Sequence, residues 1–396
     1  MQVPGQDFTE TMSPIACLAA YHAILSLAAK LVLKMHHPDI KTAFLNGSLD
    51  EEIYMKAPDG FNGGSGVWRL HKSLYRLKQV SHVWNKLLNG TLKKLGFNHC
   101  EKDTCMYLYQ SKGVFTILAV HIDNMLITSN STQKLIELKD RLAEHFRIKD
   151  LGEVNFLLGI EVTYNRKAGM IELLQQAYIE QLLKRFNLQD ARPTTTPLSS
   201  GVWLTQDNCP STNEGREDMT NILYASLIGA LMYAAIGTRP NITLAVGALS
   251  CFLSNPGRCH WNEAKHTLCY LKGTANHTIC YSSNTSLVGR IISYSHSVGM
   301  KPTKSIKGFC DLDWAGCVDT RRLTSGFIWM MGGGVICWRS KLQSIIVLSS
   351  MEAEYVGTTP VVQEIIWLRD LLCELNIIDD SPLVLNMDNQ GAVYLT

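Results

Sequence analysis

Residues 114–128 constrain the fold more than any other stretch, reading Val-Phe-Thr-Ile-Leu-Ala-Val-His-Ile-Asp-Asn-Met-Leu-Ile-Thr. Two apolar, β-prone runs, 115–120 and 125–128, flank a short polar break at 121–124. That pattern predicts a strand, a tight turn and a returning strand. Asp123 then sits at the turn of a hairpin whose strands are apolar enough to be buried. A carboxylate in such a place needs a partner, often a metal ion. A second acid, Asp39, ends another extended segment, because Pro38 keeps the approach to it out of the helical region. Two acids converging from neighbouring strands offer the hard oxygen ligands that phosphoryl-transfer sites use for divalent cations. On spacing alone both read first as ordinary turn acids, with the cation site as the sharper alternative.

A chain of 396 residues has room for two or three domains with sizeable cores. Its 46% hydrophobic and 18% charged content is that of a soluble globular protein. The net charge is only +2, so a nucleic-acid role has to rest on local basic grooves. One candidate is 69–78, where Arg69, His71, Lys72, Arg76 and Lys78 interleave with Leu70, Leu74, Tyr75 and Leu77. Such a composition suits a groove that tracks a nucleic-acid backbone, or a solvated helix face. The twelve cysteines include no Cys-x-x-Cys pair, and the Cys100/Cys105 and Cys310/Cys317 spacings fit no zinc site. Thiols in a reducing, intracellular compartment are the expectation, and no secretory signal opens the chain. The most membrane-like run, 15–33, carries His22, Ser26 and Lys30 and reads as a core helix.

Further elements follow from periodicity. Ser13-Pro14 predicts a helix start, with Ile15, Leu18, His22, Leu25 and Ala29 on one face. Trp84, Leu87, Leu88, Leu92 and Leu95 form a second helical stripe closed by Gly96. Leu135, Leu138, Leu142 and Phe146 mark a third helix, and 178–186 is an amphipathic fourth with Lys184 and Arg185 outside. Residues 189–221 carry Pro193, Pro197 and Pro210 among small polar residues and read as a linker or long loop. Helical runs at 222–236, 243–253 and 262–272 come next. His260 and His266 are six apart, wrong for a metal pair on one helix face, so packing or capping is expected. Then 306–312 reads as a strand ending at Asp311, and 325–330 with 335–338 as a hairpin around a triple glycine. A helical run at 351–375 carries Glu352 and Glu354, and a short strand at 383–387 ends at Asp388.

Several of these segments resemble, in order and spacing, the Pol polyproteins of copia-type LTR retrotransposons, over about residues 5–396. Asp39-Ile40-Lys41-Thr42-Ala43-Phe44-Leu45-Asn46-Gly47 looks like the first catalytic motif of their reverse transcriptases. His121-Ile122-Asp123-Asn124-Met125-Leu126-Ile127 is similar to their Tyr-Val-Asp-Asp-Met-Leu-Ile, with His121, Ile122 and Asn124 as replacements. Ser73-Leu74-Tyr75-Arg76-Leu77-Lys78-Gln79 resembles Ser-Leu-Tyr-Gly-Leu-Lys-Gln, with Arg76 for the glycine. Phe156-Leu157-Leu158-Gly159-Ile160 is similar to a family segment whose hairpin holds the primer strand. Thr238-Arg239-Pro240-Asn241 resembles the connection region, where the family has Asp after Arg-Pro. Residues 308–316, 348–355 and 387–390 look like the family's RNase H motifs.

The resemblance implies an α+β fold. Reverse-transcriptase fingers, palm and the start of a thumb would span 1–188. A linker or long loop over 189–221 and a helical connection region over 222–300 would follow, then an RNase-H-like α/β domain over 301–396. The implied activities are RNA-directed DNA polymerase, a nucleotidyl transfer, and cleavage of the RNA strand of a hybrid. The implied catalytic positions are Asp39, Asp123 and Asn124, and in the nuclease Asp311, Glu354 (Glu352 being the alternative) and Asp388. Pairs of Mg2+ ions would be held by Asp39 with Asp123, and by Asp311, Glu354 and Asp388. Phe44, Arg76, Lys78 and Gln79 would face nucleotide or template, Phe44 as a ring under the sugar that disfavours a 2′-hydroxyl. Implied partners are template-primer, RNA–DNA hybrid, deoxynucleotides and other polyprotein parts, with no membrane.

The departures carry their own expectations. Asn124 replaces a negative charge by a neutral carbonyl oxygen. Arg76 puts a long cation where a glycine would let the backbone approach the nascent base pair. Pro360 falls inside the helix bearing Glu354, at a cost of about 3 kcal/mol or a kink. Against the family pattern, the chain begins after the basic fingers segment and ends before a fourth nuclease acid. An impaired polymerase and an incomplete nuclease are expected, with a non-catalytic nucleic-acid-binding remnant as the alternative.

Overall fold

The computed structural model describes residues 2–57, 66–283, 306–313, 319–320, 322–343, 350–378 and 383–387, without the side chains of 312, 313 and 350–357. The chain divides into two compact units. One comprises Met1–Cys17, Leu31–Val154 and Asp370–Asp379; the other comprises Leu18–Lys30, Asn155–Arg369 and Asp380–Thr396.

Helix α1 (Leu18–Leu31) belongs almost wholly to the second unit. The first unit then runs β1 (Lys34–Ile40), β2 (Ser48–Lys56), β3 (Val67–Lys72), α2 (Val80–Lys94), β4 (Asn98–His99) and β5 (Met106–Ser111). It continues with β6 (Val114–His121), β7 (Asn124–Ser129), α3 (Thr132–His145) and β8 (Ile148–Glu153). Six strands form one antiparallel sheet in the order β4-β5-β6-β7-β1-β8, and β2 and β3 form a separate ribbon. Alternate residues of the central hairpin, Leu118, Val120, Met125 and Ile127, join a core completed by Trp84, Leu88 and Leu92 of α2 and Leu135, Leu138 and Leu142 of α3. Pro38 has no N–H to give a ladder, and the pairing of β1 with β8 slips between His36 and Pro38.

Three local expectations are corrected here. Leu87 is exposed, because Trp84, Leu88 and Leu92 repeat at every fourth residue and leave it off the buried face. No helix starts at Ser13-Pro14. The chain stays irregular to Cys17, whose N–H donates to Asp103 Oδ2 at 3.1 Å, a partner 86 positions away. The basic stretch 69–78 is no helix face but the end of β3 and a following irregular segment. Its Arg69 pairs with Glu52 across the ribbon at 2.9 Å.

The second unit contains β9 (Phe156–Leu157), β10 (Ile160–Asn165), β11 (Met170–Leu174), α4 (Gln176–Arg185), α5 (Asn213–Thr220), α6 (Tyr224–Gly237), α7 (Thr243–Ser250), α8 (Arg258–Gly273) and β12 (Ile279–Ser282). The four strands form an antiparallel sheet, β12-β11-β10-β9. Ile179 and Leu182 of α4 pack with Leu227, Leu231, Leu249 and Leu268 in a helical core. The proline-containing stretch after α4 is tied down along α8. Lys272 Nζ donates to the Ala191 carbonyl at 2.8 Å, Thr267 Oγ1 to that of Pro197 at 2.9 Å, and Ser199 Oγ to Glu263 at 2.8 Å. His260 does cap and pack, its Nδ1 accepting from Gly257 N at 2.9 Å and its ring stacking on Phe252.

α1 is a core helix, buried along most of its length, and no single described helix is long and apolar enough to cross a membrane. Its polar residues have partners: Ser26 Oγ donates to the Met331 carbonyl at 2.8 Å, and His22 bonds at both ring nitrogens. The last elements are β13 (Ile306–Asp313), β14 (Thr324–Met331), β15 (Gly334–Leu342), α9 (Ser350–Glu374) and β16 (Leu385–Asn386). Their sheet runs β15-β14-β13-β16, antiparallel except that β16 is parallel to β13. Gly332 and Gly333, at φ +59° and +86°, make the two-residue turn that joins β14 to β15. α9 continues through Pro360.

Candidate active site

The hairpin β6–β7 closes on two residues, Ile122 and Asp123, since His121 pairs with Asn124. Ile122 adopts φ +60°, a left-handed conformation that is unfavourable for a β-branched side chain. Two bonds hold the turn. Trp84 Nε1 donates to the Ile122 carbonyl at 2.8 Å, and Ile40 N donates to the Asp123 carbonyl at 3.0 Å. The neighbouring register sets Asp39 of β1 directly opposite Asn124 of β7. Asp39, Asp123 and Asn124 are therefore gathered at one end of adjoining strands, each half-buried.

Hydrogen bonds fix the amide of Asn124. Its Nδ2 donates to Asp123 Oδ1 at 3.1 Å, and its Oδ1 lies 3.1 Å from His37 Nε2. This oxygen, the neutral group that stands where the family pattern has a carboxylate, faces His37, because only an N–H can stand against the Asp123 carboxylate.

The other expected polymerase positions lie in the same unit. Phe44 sits in a short 3-10 turn (Ala43–Asn46), edge-on to Tyr75 at 5.4 Å, with its carbonyl accepting from Ser73 Oγ. Arg76 is exposed at φ +77°. Lys78 is exposed, and its backbone N–H donates to Gln2 Oε1 at 2.8 Å. Gln79 is buried, donating to the Asp7 carbonyl at 2.9 Å and accepting from Gln2 Nε2 at 3.0 Å. Its amide ties the N-terminal segment to the start of α2.

In the second unit, Asp311 lies exposed on β13 opposite Gly326. Glu354 and the alternative Glu352 are on α9, but their side chains lie outside the described residues, as does Asp388 altogether. Among the described residues, no group of three or more His, Cys, Asp or Glu is arranged to hold a metal ion. The Asp39–Asp123 donor set still fits magnesium, which takes one or two carboxylates and fills its remaining positions with water and substrate phosphate. Asp123 accepts one side-chain hydrogen bond, at Oδ1 from Asn124, and Asp39 lies beside it on the neighbouring strand.

A family model described as reverse transcriptase (RNA-dependent DNA polymerase) matches residues 1–200. The Pol polyprotein from transposon TNT 1-94 of Nicotiana tabacum is 37% identical over 399 residues, covering 100% of this chain and 29% of that protein. The chain belongs to the reverse transcriptase family of copia-type retrotransposons. The Pol polyprotein from transposon RE2 of Arabidopsis thaliana is 33% identical, with 100% of this chain and 26% of that protein aligned. A putative transposon Ty5-1 protein of Saccharomyces cerevisiae is 31% identical over 331 residues, 83% of this chain and 100% of its own length. The chain thus spans less than a third of the two plant polyproteins.

The conformation of Arg76 gives a second reason for the glycine that the resemblance sets at this position. The backbone turns through the left-handed region, which glycine enters without penalty. Sequence reasoning missed His37 and the indole bond of Trp84. His37 was visible only as one of two adjacent histidines in a mostly polar strand, two places before Asp39, and Trp84 only as part of a helical stripe.

Proposed function

We propose that this chain is the RNA-directed DNA polymerase and ribonuclease H portion of a retrotransposon polyprotein, with an impaired polymerase site. The observation that carries the polymerase reading is the register that pairs Asp39 with Asn124, next to Asp123 at the turn. Asp39 and Asp123 would hold the divalent cations. Bound Mg2+ supplies the charge that lowers the pKa of a primer 3′-hydroxyl and neutralises the departing pyrophosphate. The protein's own part is to fix both carboxylates on strands braced by Trp84. Phe44, Arg76, Lys78 and Gln79 would line the path of deoxynucleotide and template-primer.

The impairment rests on two replacements. Asn124 removes an anionic oxygen beside the cation positions, and each 1.4 kcal/mol lost at the transition state costs about tenfold in rate. Arg76 places a cation and a strained backbone where the family has glycine. The nuclease reading is supported by a sheet with one parallel edge, Asp311 on its inner strand β13, and the helix that carries Glu354. Asp388 would complete its acid set.

Primer extension on poly(rA)/oligo(dT) with Mg2+ or Mn2+ tests this. The natural chain gives no extension, and Asn124→Asp with Arg76→Gly gives extension that a further Asp123→Ala abolishes. Extension by the natural chain, sensitive to Asp123→Ala, overturns the impairment. Failure of the double reversion overturns the assignment of the defect to these two residues. Salt-dependent binding of an RNA–DNA hybrid by the reverted chain, still without turnover, would favour the binding remnant instead.

A further inference from the structure

We infer that Asn124 is an internal latch on Asp123, oriented by His37, and that its amide N–H competes with divalent cations for the Asp123 carboxylate. The inference rests on the proposed cation role of Asp39 and Asp123 and concerns what this chain does with that site.

The argument starts from proton counting. An ionised carboxylate only accepts, so the group 3.1 Å from Asp123 Oδ1 has to be the NH2 end of the Asn124 amide. The other end, Oδ1, also only accepts. His37 Nε2, 3.1 Å from it, therefore carries a proton and donates. One buried ring thus fixes which way the amide points. His37 and Asp39 are two residues apart on β1, on the strand face that meets Asn124 across the register.

A cation seated on Asp39 and Asp123 would have the positive end of this amide as its neighbour. The amide carbonyl, the only part able to ligate, is taken by His37. An acid at 124 could not make the bond to Asp123, because two carboxylates repel unless a cation lies between them. Asparagine at this position does more than drop a charge: it supplies a fixed N–H where the cation's attraction would otherwise act. His37 is a positioning residue in this scheme and touches no reacting atom.

Binding of Mn2+ to the full chain, followed by the loss of the free-ion EPR signal, reads the latch without any turnover. Asn124→Ala removes the competing N–H and should tighten Mn2+ binding by about three- to tenfold, the scale of a hydrogen bond to a charged group. His37→Phe should tighten it similarly, by letting the amide turn its oxygen to the ion. His37→Gln retains a donor near the Nε2 position and should bind as the natural chain does. Weaker binding by Asn124→Ala would make Asn124 a ligand and overturn the latch. Tightening in Asn124→Ala but not in His37→Phe would overturn the role of His37. With Asp311→Ala present in every chain to silence the nuclease acids, Asp123→Ala separates this from the cation reading itself: binding that survives Asp123→Ala, or that is absent from both the natural chain and Asn124→Asp, sinks that reading and the latch with it.

Discussion

Trp84 of α2 donates its indole N–H to the Ile122 carbonyl at 2.8 Å, so a core side chain braces the turn that carries Asp123. The turn needs the brace, because Ile122 is held at φ +60°. Trp84→Phe keeps an aromatic ring in the core and removes the donor. It should destabilise the chain by about 1–2 kcal/mol in urea denaturation. Adding Ile122→Gly should recover part of that loss, since glycine tolerates positive φ. A neutral Trp84→Phe would show that the bond does not hold the turn.

Arg76 offers the converse case, an exposed residue in a conformation that favours glycine. Arg76→Gly should raise stability by about 1 kcal/mol, the left-handed penalty of a side chain with a Cβ. Arg76→Lys keeps the Cβ and should leave the urea midpoint where it is. Equal gains from both would trace the effect to loss of the guanidinium group instead of the backbone.

Arg239 of the second unit is buried at 2% exposure, and its hydrogen-bond partners are neutral: Asn241 Oδ1 at 3.3 Å, the Thr274 carbonyl at 3.0 Å and the Thr274 hydroxyl. Burial pulls its pKa down to about 10. The family's acid at position 241 would face this guanidinium. Asn241→Asp should stabilise by about 1 kcal/mol, discounted because position 241 is exposed. Arg239 would hold the new carboxyl below its ordinary value. The gain should therefore be complete at neutral pH and vanish as pH falls through the acid range, about pH 4 and lower. Stability curves of both chains at pH 7 and pH 3 check this.

His22, wholly buried in α1, gives the natural chain a pH dependence. Its Nε2 lies 3.0 Å from the Gly237 carbonyl and its Nδ1 lies 2.8 Å from the Tyr281 hydroxyl. Desolvation lowers its pKa to about 4, against an upward pull from the Gly237 carbonyl. Between about pH 6.5 and 4 the unfolded chain takes up a proton that the folded chain refuses, so stability falls as pH falls. The loss from this residue should reach about 3 kcal/mol across that window. His22→Gln should flatten the dependence by a similar amount, read from urea midpoints at pH 6.5 and 4.5. An unchanged slope would assign the acid sensitivity to other groups.

Much of the architecture was legible before the fold. The hairpin over 114–128, the stripes of α2 and α3, the helices α6 to α8 and the glycine turn before β15 all follow from periodicity and turn chemistry within a few residues. The motifs also carried the family. Errors fell where a residue answers to a distant partner. Cys17 meets Asp103, and Leu87 is turned away by the neighbours of Trp84.

The site divides along the same line. By itself the sequence determined that acids stand at 39 and 123, that asparagine stands at 124 and that a strand reaches each of them, because these are properties of residue type and local pattern. Only the tertiary structure decided that Asp39 lies opposite Asn124, that Arg76 bends through a glycine's conformation, and that the Asn124 amide turns its N–H to Asp123. Register and amide orientation depend on which strands become neighbours and on what His37 offers across the gap, and no local stretch of chain encodes either.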